Sequence, residues 1–162
     1  MLVIYVENQN MTSRTRPVIF LDFDGVIRYK GWSREALDNL NRLILFSEAR
    51  VVVSSDWRHS HNLNDLKLLL KDLGVLGWEK VEHTPIMQEY AGEFVFYQPR
   101  SSEIEYYIRV NGIKNYVVLD DIKALQDSPL RDHLVLCEYE EGFTEDRLVA
   151  ARKILNQNDD KS

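Results

Sequence analysis

The stretch that decides the fold is VIFLDFDGV, which occupies Val18–Val26. Apolar residues lead directly into Asp22 and Asp24, which are separated by one residue and followed by Gly25. Alternate residues of an extended chain point to the same side, so both carboxylates are expected to project together from the end of a buried strand. Carboxylates on one face disfavour each other's ionisation, and the arrangement becomes favourable when a divalent cation binds between them. Gly25 then allows a sharp turn without a side chain that would obstruct a ligand.

A second apolar run ends in the same way, in the pair Asp120 and Asp121. Ligands of an open parallel sheet bind at the carboxyl ends of its strands, so the two acidic strand ends are expected to meet at one edge. Such a concentration of carboxylates favours a hard divalent cation, and Mg²⁺ is the natural choice for ligands that are all oxygen. Zinc is not supported, because the histidines and the single cysteine show no ligand pairing beyond His59 and His61.

The bulk composition indicates one soluble globular domain. The chain has 162 residues, of which 44% are hydrophobic and 28% charged. Its net charge of −6 argues against a protein that binds polyanions nonspecifically. The only cysteine, Cys137, cannot form an internal disulfide, which favours a reducing compartment and a cytoplasmic location. The apolar segment Met1–Val6 is too short to span a membrane, so no membrane partner is expected.

Short apolar runs alternate with helical patterns, which predicts an α/β fold: a three-layer, Rossmann-like parallel sheet with helices on both faces. The predicted organisation is an N-terminal extension or edge strand over 1–16, one domain over 17–156 and a flexible tail over 157–162. Ser102 and Glu105 fit a capping box at the start of the third helix. The predicted helices are 33–46, 62–73, 102–110 and 144–155, and the predicted strands are 17–22, 49–54, 81–83, 115–120 and 133–137, with 92–98 either a strand or a loop.

Two further features lie where a phosphate group could be bound. Ser54 and Ser55 follow a valine-rich strand, so their hydroxyl groups can hold phosphate oxygens or cap the next segment. Arg100 stands next to a predicted helix start and can supply a positive charge, although by itself it is an ordinary surface arginine.

Together these motifs resemble the haloacid dehalogenase-like (HAD) hydrolase superfamily. The residues that match its four motifs, in chain order, are Asp22–Val26, Ser54 or Ser55, Arg100 or Lys114, and Asp120 with Asp121. A closer resemblance is to the HAD domain of Swiss Army Knife RNA repair proteins, in which a Ser-x-Trp-Arg pattern matches Ser55, Trp57 and Arg58. That pattern favours Ser55 over Ser54 as the second-motif residue.

The resemblance implies a phosphatase that works through an aspartyl-phosphate. Asp22 is the expected nucleophile and Asp24 the expected general acid and base. Ser55 and Arg100 are expected to hold the phosphoryl oxygens. The implied Mg²⁺ ligands are Asp22, the Asp24 backbone carbonyl and an acid of the fourth motif, with Asp121 favoured over Asp120.

The spacing of the motifs leaves no room for the cap domain that many HAD phosphatases carry. An uncovered site suits a large phosphorylated substrate such as a nucleic-acid end. Gly25, Ser54, Trp57 and Arg58 are expected to contact it, although Trp57 can instead pack under the second helix. The alternatives are a small-molecule or nucleotide phosphatase and a non-catalytic HAD-like binding module.

Overall fold

The computed structural model describes residues 16–159 of the chain. The extension predicted for 1–16 lies, apart from Arg16, outside the described residues, as do residues 160–162 of the predicted tail. The strands are β1 (Val18–Leu21), β2 (Arg50–Val53), β3 (Glu82–His83), β4 (Gln88–Ala91), β5 (Phe94–Tyr97), β6 (Tyr116–Asp120) and β7 (Leu134–Leu136). The α-helices are α1 (Arg34–Ser47), α2 (Leu63–Asp72), α3 (Arg100–Asn111) and α4 (Glu145–Asp159).

A central sheet of five parallel strands runs in the order β3, β2, β1, β6, β7. From β1 the chain moves outward through β2 to β3 and later returns to β6 on the other side of β1. The strand order therefore reverses at β1, and the crevice at the carboxyl ends of strands beside such a reversal is the usual ligand position. The predicted α/β fold with a parallel, Rossmann-like sheet is confirmed.

Helices cover both faces of this sheet. Ile19 and Leu21 of β1 belong to a core that includes residues of α1, α2 and α4. Val18 and Phe20 point the other way, into a second core that includes residues of α3. Burial on both faces explains why the sequence of β1 is apolar without interruption. Of α1–α4, none combines the length and the apolar character that a membrane span requires.

Polar caps fix the starts of the first two helices. The Ser33 Oγ accepts a hydrogen bond from the Ala36 amide at 3.2 Å at the start of α1. The Asn62 Oδ1 accepts one from the Asp65 amide at 2.9 Å at the start of α2. Each cap satisfies a backbone donor that has no partner within the helix.

Two helix ends differ from the prediction. α3 begins at Arg100, directly after Pro99, so Ser102 lies inside the helix and the predicted capping box is wrong. Pro99, the residue before the helix, has extended backbone with a ψ angle of 150°, and no side chain caps α3. α4 continues to Asp159, four residues beyond its predicted end at 155.

β4 and β5 form an antiparallel hairpin between β3 and α3, and every residue in both strands is exposed. The segment 92–98, predicted as a strand or a loop, thus contains the second strand of this hairpin. The interval between β1 and β2 holds a turn and α1, and the interval between β2 and α3 holds α2, β3 and the hairpin. Because the exposed hairpin has no core of its own, residues 16–159 contain no cap domain, as predicted.

Candidate active site

The loop after β1 brings both aspartates of the opening motif to one cavity. Asp22 is 4% exposed, and its Oδ1 accepts a hydrogen bond from the Phe23 amide at 2.8 Å. Asp24 lies further out, with 42% of its side chain exposed. Phe23 is buried against the Trp57 ring. Asp22 and Asp24 therefore lie on the same side of the chain, as the spacing of the motif predicts.

The end of β6 adds Asp120 and Asp121 to the same place. Side-chain oxygens of Asp22, Asp120 and Asp121 all lie within 4.8 Å of one another. Asp120 is fully buried, whereas Asp121 is partly exposed and lines the cavity. Carboxylate oxygens are the ligands that hard divalent cations prefer, so this cluster is able to bind a metal ion.

Arg100, the first residue of α3, connects these carboxylates. Its Nη1 lies 3.0 Å from Asp22 Oδ2 and 2.9 Å from Asp120 Oδ2, and its Nη2 lies 2.9 Å from Asp56 Oδ1. The other predicted cation, Lys114, is exposed and precedes β6, so it lies at the opposite edge of the sheet from Asp120. The structure thus brings Arg100, and not Lys114, to the site.

Burial and mutual repulsion shift the pKa values of the carboxyl groups in this cluster. Burial, reinforced by the charge of Asp120, raises the pKa of Asp22 to about 8, although Arg100 acts in the opposite direction. Burial likewise raises the pKa of Asp120 against the lowering effect of Arg100. The Arg100 pKa is itself raised, because the charges of Asp22 and Asp120 outweigh the effect of burial. One guanidinium therefore does not balance the negative charge of the cluster, and a bound cation would.

Of the two serines that follow β2, Ser55 lines the cavity. Its Oγ also accepts a hydrogen bond from the Trp57 amide at 3.3 Å, so it caps the 3₁₀ helix Asp56–His59. Ser54 is fully buried, and its Oγ has no hydrogen-bond partner among residues 16–159. Ser55 is thus positioned to meet a ligand, whereas Ser54 is enclosed by protein.

The cavity at the carboxyl ends of β1, β2 and β6 has a volume of about 170 Å³. Its lining consists of charged and hydroxyl side chains with one aliphatic residue: Asp22, Asp24, Ser55, Asp56, Arg100, Asp121 and Ile122. Residues 18–148 match the family described as the HAD domain in Swiss Army Knife RNA repair proteins. The chain belongs to this HAD family.

The match begins at β1 and ends within α4, so it includes every strand of the HAD domain and every residue of the cavity. Membership supports a hydrolase of the HAD type. No curated protein and no solved structure matches the chain.

Trp57 contacts Asp24 of this HAD domain. Its Nε1 donates a hydrogen bond to Asp24 Oδ2 at 2.9 Å, and Arg28 Nη1 donates one to Asp24 Oδ1 at 2.8 Å. The indole ring stacks on His61, with 5.0 Å between the ring centroids. The motif Ser-x-Trp-Arg therefore contributes a side chain that holds one of the two aspartates after β1.

The expectation that Arg58 contacts substrate is wrong. The Arg58 side chain is fully buried in an ion pair with Glu103, with 3.2 Å between Nη1 and Oε2. The guanidinium also donates to the carbonyl oxygens of Ser55, Thr84 and Pro85 at 2.7–3.0 Å. Arg58 thus ties the chain after β2 and β3 to α3, and no part of its side chain faces solvent.

Two residues of the site were missed in the sequence. Asp56 binds Arg100 and lines the cavity, and the signal was its place directly after Ser55 at a strand end. Ile122 also lines the cavity, but an isolated isoleucine after an acidic pair carries no chemical signal. Asp56, Arg100 and Ile122 are shared with a neighbouring cavity of about 430 Å³, whose lining includes His59, Tyr97, Gln98 and Glu103.

Proposed function

We propose that this HAD domain is a magnesium-dependent phosphomonoester hydrolase that works through an aspartyl-phosphate on Asp22. The observation that carries the proposal is the single cavity lined by Asp22, Asp24, Ser55 and Arg100. A carboxylate for attack, a carboxyl group for proton transfer and donors for the phosphoryl oxygens are all available there.

In the first half of the reaction, an Oδ atom of Asp22 forms a bond to phosphorus while the bond from phosphorus to the ester oxygen breaks. The electron pair of that bond stays on the leaving oxygen, which takes the proton of the Asp24 carboxyl group. Ser55 and Arg100 bind the phosphoryl oxygens and stabilise the charge that develops on them.

In the second half, the Asp24 carboxylate takes a proton from water as the water oxygen attacks phosphorus. The bond between phosphorus and Asp22 breaks, its electron pair returns to the carboxylate, and inorganic phosphate leaves. General acid–base catalysis of this kind contributes roughly 10²–10⁴-fold to the rate.

The acidic cluster supports Mg²⁺ as the cofactor, because its closely spaced donors are all oxygens and one arginine does not balance their charge. The family resemblance gives Asp22 as one side-chain ligand, and Asp121 is preferred over Asp120 as the other. Both oxygens of Asp120 already accept hydrogen bonds, from Arg100 at 2.9 Å and from the Ile122 amide at 3.0 Å. The family resemblance adds the Asp24 backbone carbonyl. When bound, the ion supplies positive charge that offsets the repulsion between a carboxylate and a phosphate.

A large substrate, such as the phosphorylated end of a nucleic acid, is the substrate class that we infer. Residues 16–159 include no cap domain, and the neighbouring cavity continues from the shared wall of Asp56 and Arg100. Tyr97 lines that cavity and is 59% exposed, so a base next to the phosphate can stack on it.

A small-molecule or nucleotide phosphatase is the second candidate, because Tyr97 lies on the hairpin and the hairpin can cover a small substrate as a partial lid. Turnover of a 3′-phosphorylated oligonucleotide, compared with p-nitrophenyl phosphate, separates the two. Stacking contributes ~1–3 kcal/mol per base, so Tyr97→Ala is expected to raise the KM of the oligonucleotide roughly tenfold. Tyr90→Ala is the matched control, since Tyr90 is an exposed tyrosine of the same hairpin.

The reaction itself is tested with Asp22→Asn, which keeps the shape of the side chain and removes the nucleophile. We expect loss of magnesium-dependent phosphate release with the fold retained by circular dichroism. Asp132→Asn, an exposed acid with 87% of its side chain accessible, is the control. Unchanged phosphate release by Asp22→Asn contradicts the mechanism, and absence of release from the wild-type protein on every phosphomonoester favours the non-catalytic binding module.

A further inference from the structure

Both carboxylate oxygens of Asp24 are held by side chains that come from other parts of the chain. Arg28 lies at the end of the turn that follows Asp24, and Trp57 lies in the 3₁₀ helix after β2. Their donor atoms are 2.8 and 2.9 Å from Oδ1 and Oδ2. Asp24 would otherwise be free to change rotamer, because 42% of its side chain is exposed.

The Trp57 donor is itself fixed by its surroundings. The ring packs edge-on against Phe23 and Trp32, with centroids 5.5 and 5.4 Å away, and stacks on His61. The Arg28 guanidinium also lies against the same ring, 5.6 Å from its centroid. These contacts occupy the indole, so Trp57 is better placed to orient Asp24 than to stack on a substrate base.

We propose that Trp57 is a positioning residue for proton transfer by Asp24. The inference rests on the proposed function, in which Asp24 gives a proton to the leaving oxygen as the phosphorus–oxygen bond breaks. An indole N–H only donates, so it binds Asp24 as an acceptor and strengthens its bond as the carboxyl group becomes a carboxylate. Trp57 therefore acts most strongly on substrates whose leaving oxygen must be protonated.

The test compares leaving groups in a Trp57→Phe variant, because a ring without the N–H group keeps most of the packing. The quantity compared is kcat/KM, which covers the steps up to release of the leaving group and excludes the later attack of water, in which Asp24 acts as the base. With glycerol phosphate, whose alkoxide leaves poorly without a proton, kcat/KM is expected to fall about tenfold or more, a part of the ~10²–10⁴-fold that acid–base catalysis contributes. With 2,4-dinitrophenyl phosphate, whose leaving group needs no proton, kcat/KM is expected to change less than about twofold. Asp24→Asn is expected to show the same selectivity to a greater degree.

Two further variants separate positioning from packing. Trp32→Phe perturbs the same aromatic cluster, but among residues 16–159 Trp32 has no hydrogen bond to Asp24, so it is expected to affect both substrates equally. If Trp57→Phe does not fold, replacement of Trp57 by benzothienylalanine keeps the size of the ring and removes the N–H group.

Equal loss with both substrates in the Trp57 variants, while Asp24→Asn still discriminates between them, overturns this inference and leaves the proposed function intact. Absence of phosphate release by the wild-type protein from glycerol phosphate, 2,4-dinitrophenyl phosphate and a 3′-phosphorylated oligonucleotide alike overturns the proposed function and this inference with it.

Discussion

Gly25 and Asp121 lie in direct contact, with no space between them for a Cβ atom. A methyl group built at Gly25 collides with the Asp121 carboxylate, and the Gly25 φ angle of +81° is one that other residues rarely adopt. The sequence suggested that Gly25 leaves space for a bound ligand. In the structure that space is filled by the Asp121 side chain, which is itself a candidate to bind a metal ion. The turn after β1 and the acidic pair after β6 are thus fitted to each other.

Gly25→Ala is therefore expected to displace Asp121 and to weaken magnesium-dependent activity. The unfavourable φ angle adds a loss of roughly 1–3 kcal/mol in the free energy of unfolding. Phosphate release as a function of Mg²⁺ concentration, together with urea denaturation, measures the two effects. Gly112→Ala is the matched control, because Gly112 has a φ angle of +62° with no atom within 4 Å of its added Cβ. Equal Mg²⁺ dependence in both variants would show that Asp121 is not displaced.

Removal of one carboxylate from the cluster tests the metal site without any substrate. Asp121→Asn is expected to weaken Mg²⁺ binding, measured by calorimetry, by about tenfold or more, which corresponds to about 1.4 kcal/mol. Saturating Mg²⁺ is also expected to raise the unfolding temperature of the wild-type protein, since a ligand that binds only the folded state stabilises it. Wild-type Mg²⁺ affinity in Asp121→Asn, with Asp132→Asn as the reference, contradicts this assignment.

Much of the site was predictable because it depends on strand ends. Asp22, Ser55 and Asp121 each follow a buried apolar run, and parallel strands deliver such residues to one edge of the sheet. The position of Arg100 was also accessible, since a helix that starts after the hairpin begins at the same edge.

The misassigned residues depend on contacts between distant segments. Arg58 stands in a motif beside the cavity, but its guanidinium pairs with Glu103. Glu103 reaches it only when α3 packs on the sheet. The hairpin was ambiguous because both of its faces are exposed, so the alternation of apolar and polar residues that identifies a half-buried strand is missing from Phe94–Tyr97.

Because Arg58 is buried in an ion pair, its removal is expected to destabilise the fold. Arg58→Met leaves Glu103 buried without its cation and is expected to lower the free energy of unfolding by about 3–5 kcal/mol. Arg58→Met combined with Glu103→Leu is expected to cost less than the sum of the two single changes, because no unpaired charge remains. Arg34→Met breaks an exposed pair with Asp38 and is expected to change stability by less than about 0.5 kcal/mol. Near-normal stability of Arg58→Met with a raised KM would restore its predicted role in substrate binding.

The hydrogen bonds of Tyr107 are expected to make the free energy of unfolding depend on pH. Its hydroxyl group donates a hydrogen bond to Glu82 and accepts one from Arg50 Nη1 at 2.9 Å. Burial raises the pKa of Glu82, but the hydrogen bonds from Tyr107 and Arg50 outweigh it and the net pKa is lowered. Burial and the bond to Glu82 raise the pKa of Tyr107 to about 12.

These shifts define the pH window of the stabilisation. The lowered pKa of Glu82 contributes stability above its ordinary pKa of 4.5, which is lost as pH falls through the folded value. The raised pKa of Tyr107 contributes stability that is complete below the ordinary value of 10.0 and is lost as pH rises towards about 12.

Tyr107→Phe is therefore expected to lower the free energy of unfolding by about 1 kcal/mol between these limits and by less outside them. Urea denaturation across pH measures the difference, and Tyr106→Phe, at an exposed neighbouring tyrosine, should show no such window. A cost of Tyr107→Phe that does not vary with pH would mean that the ring, and not the hydrogen bond to Glu82, provides the stability.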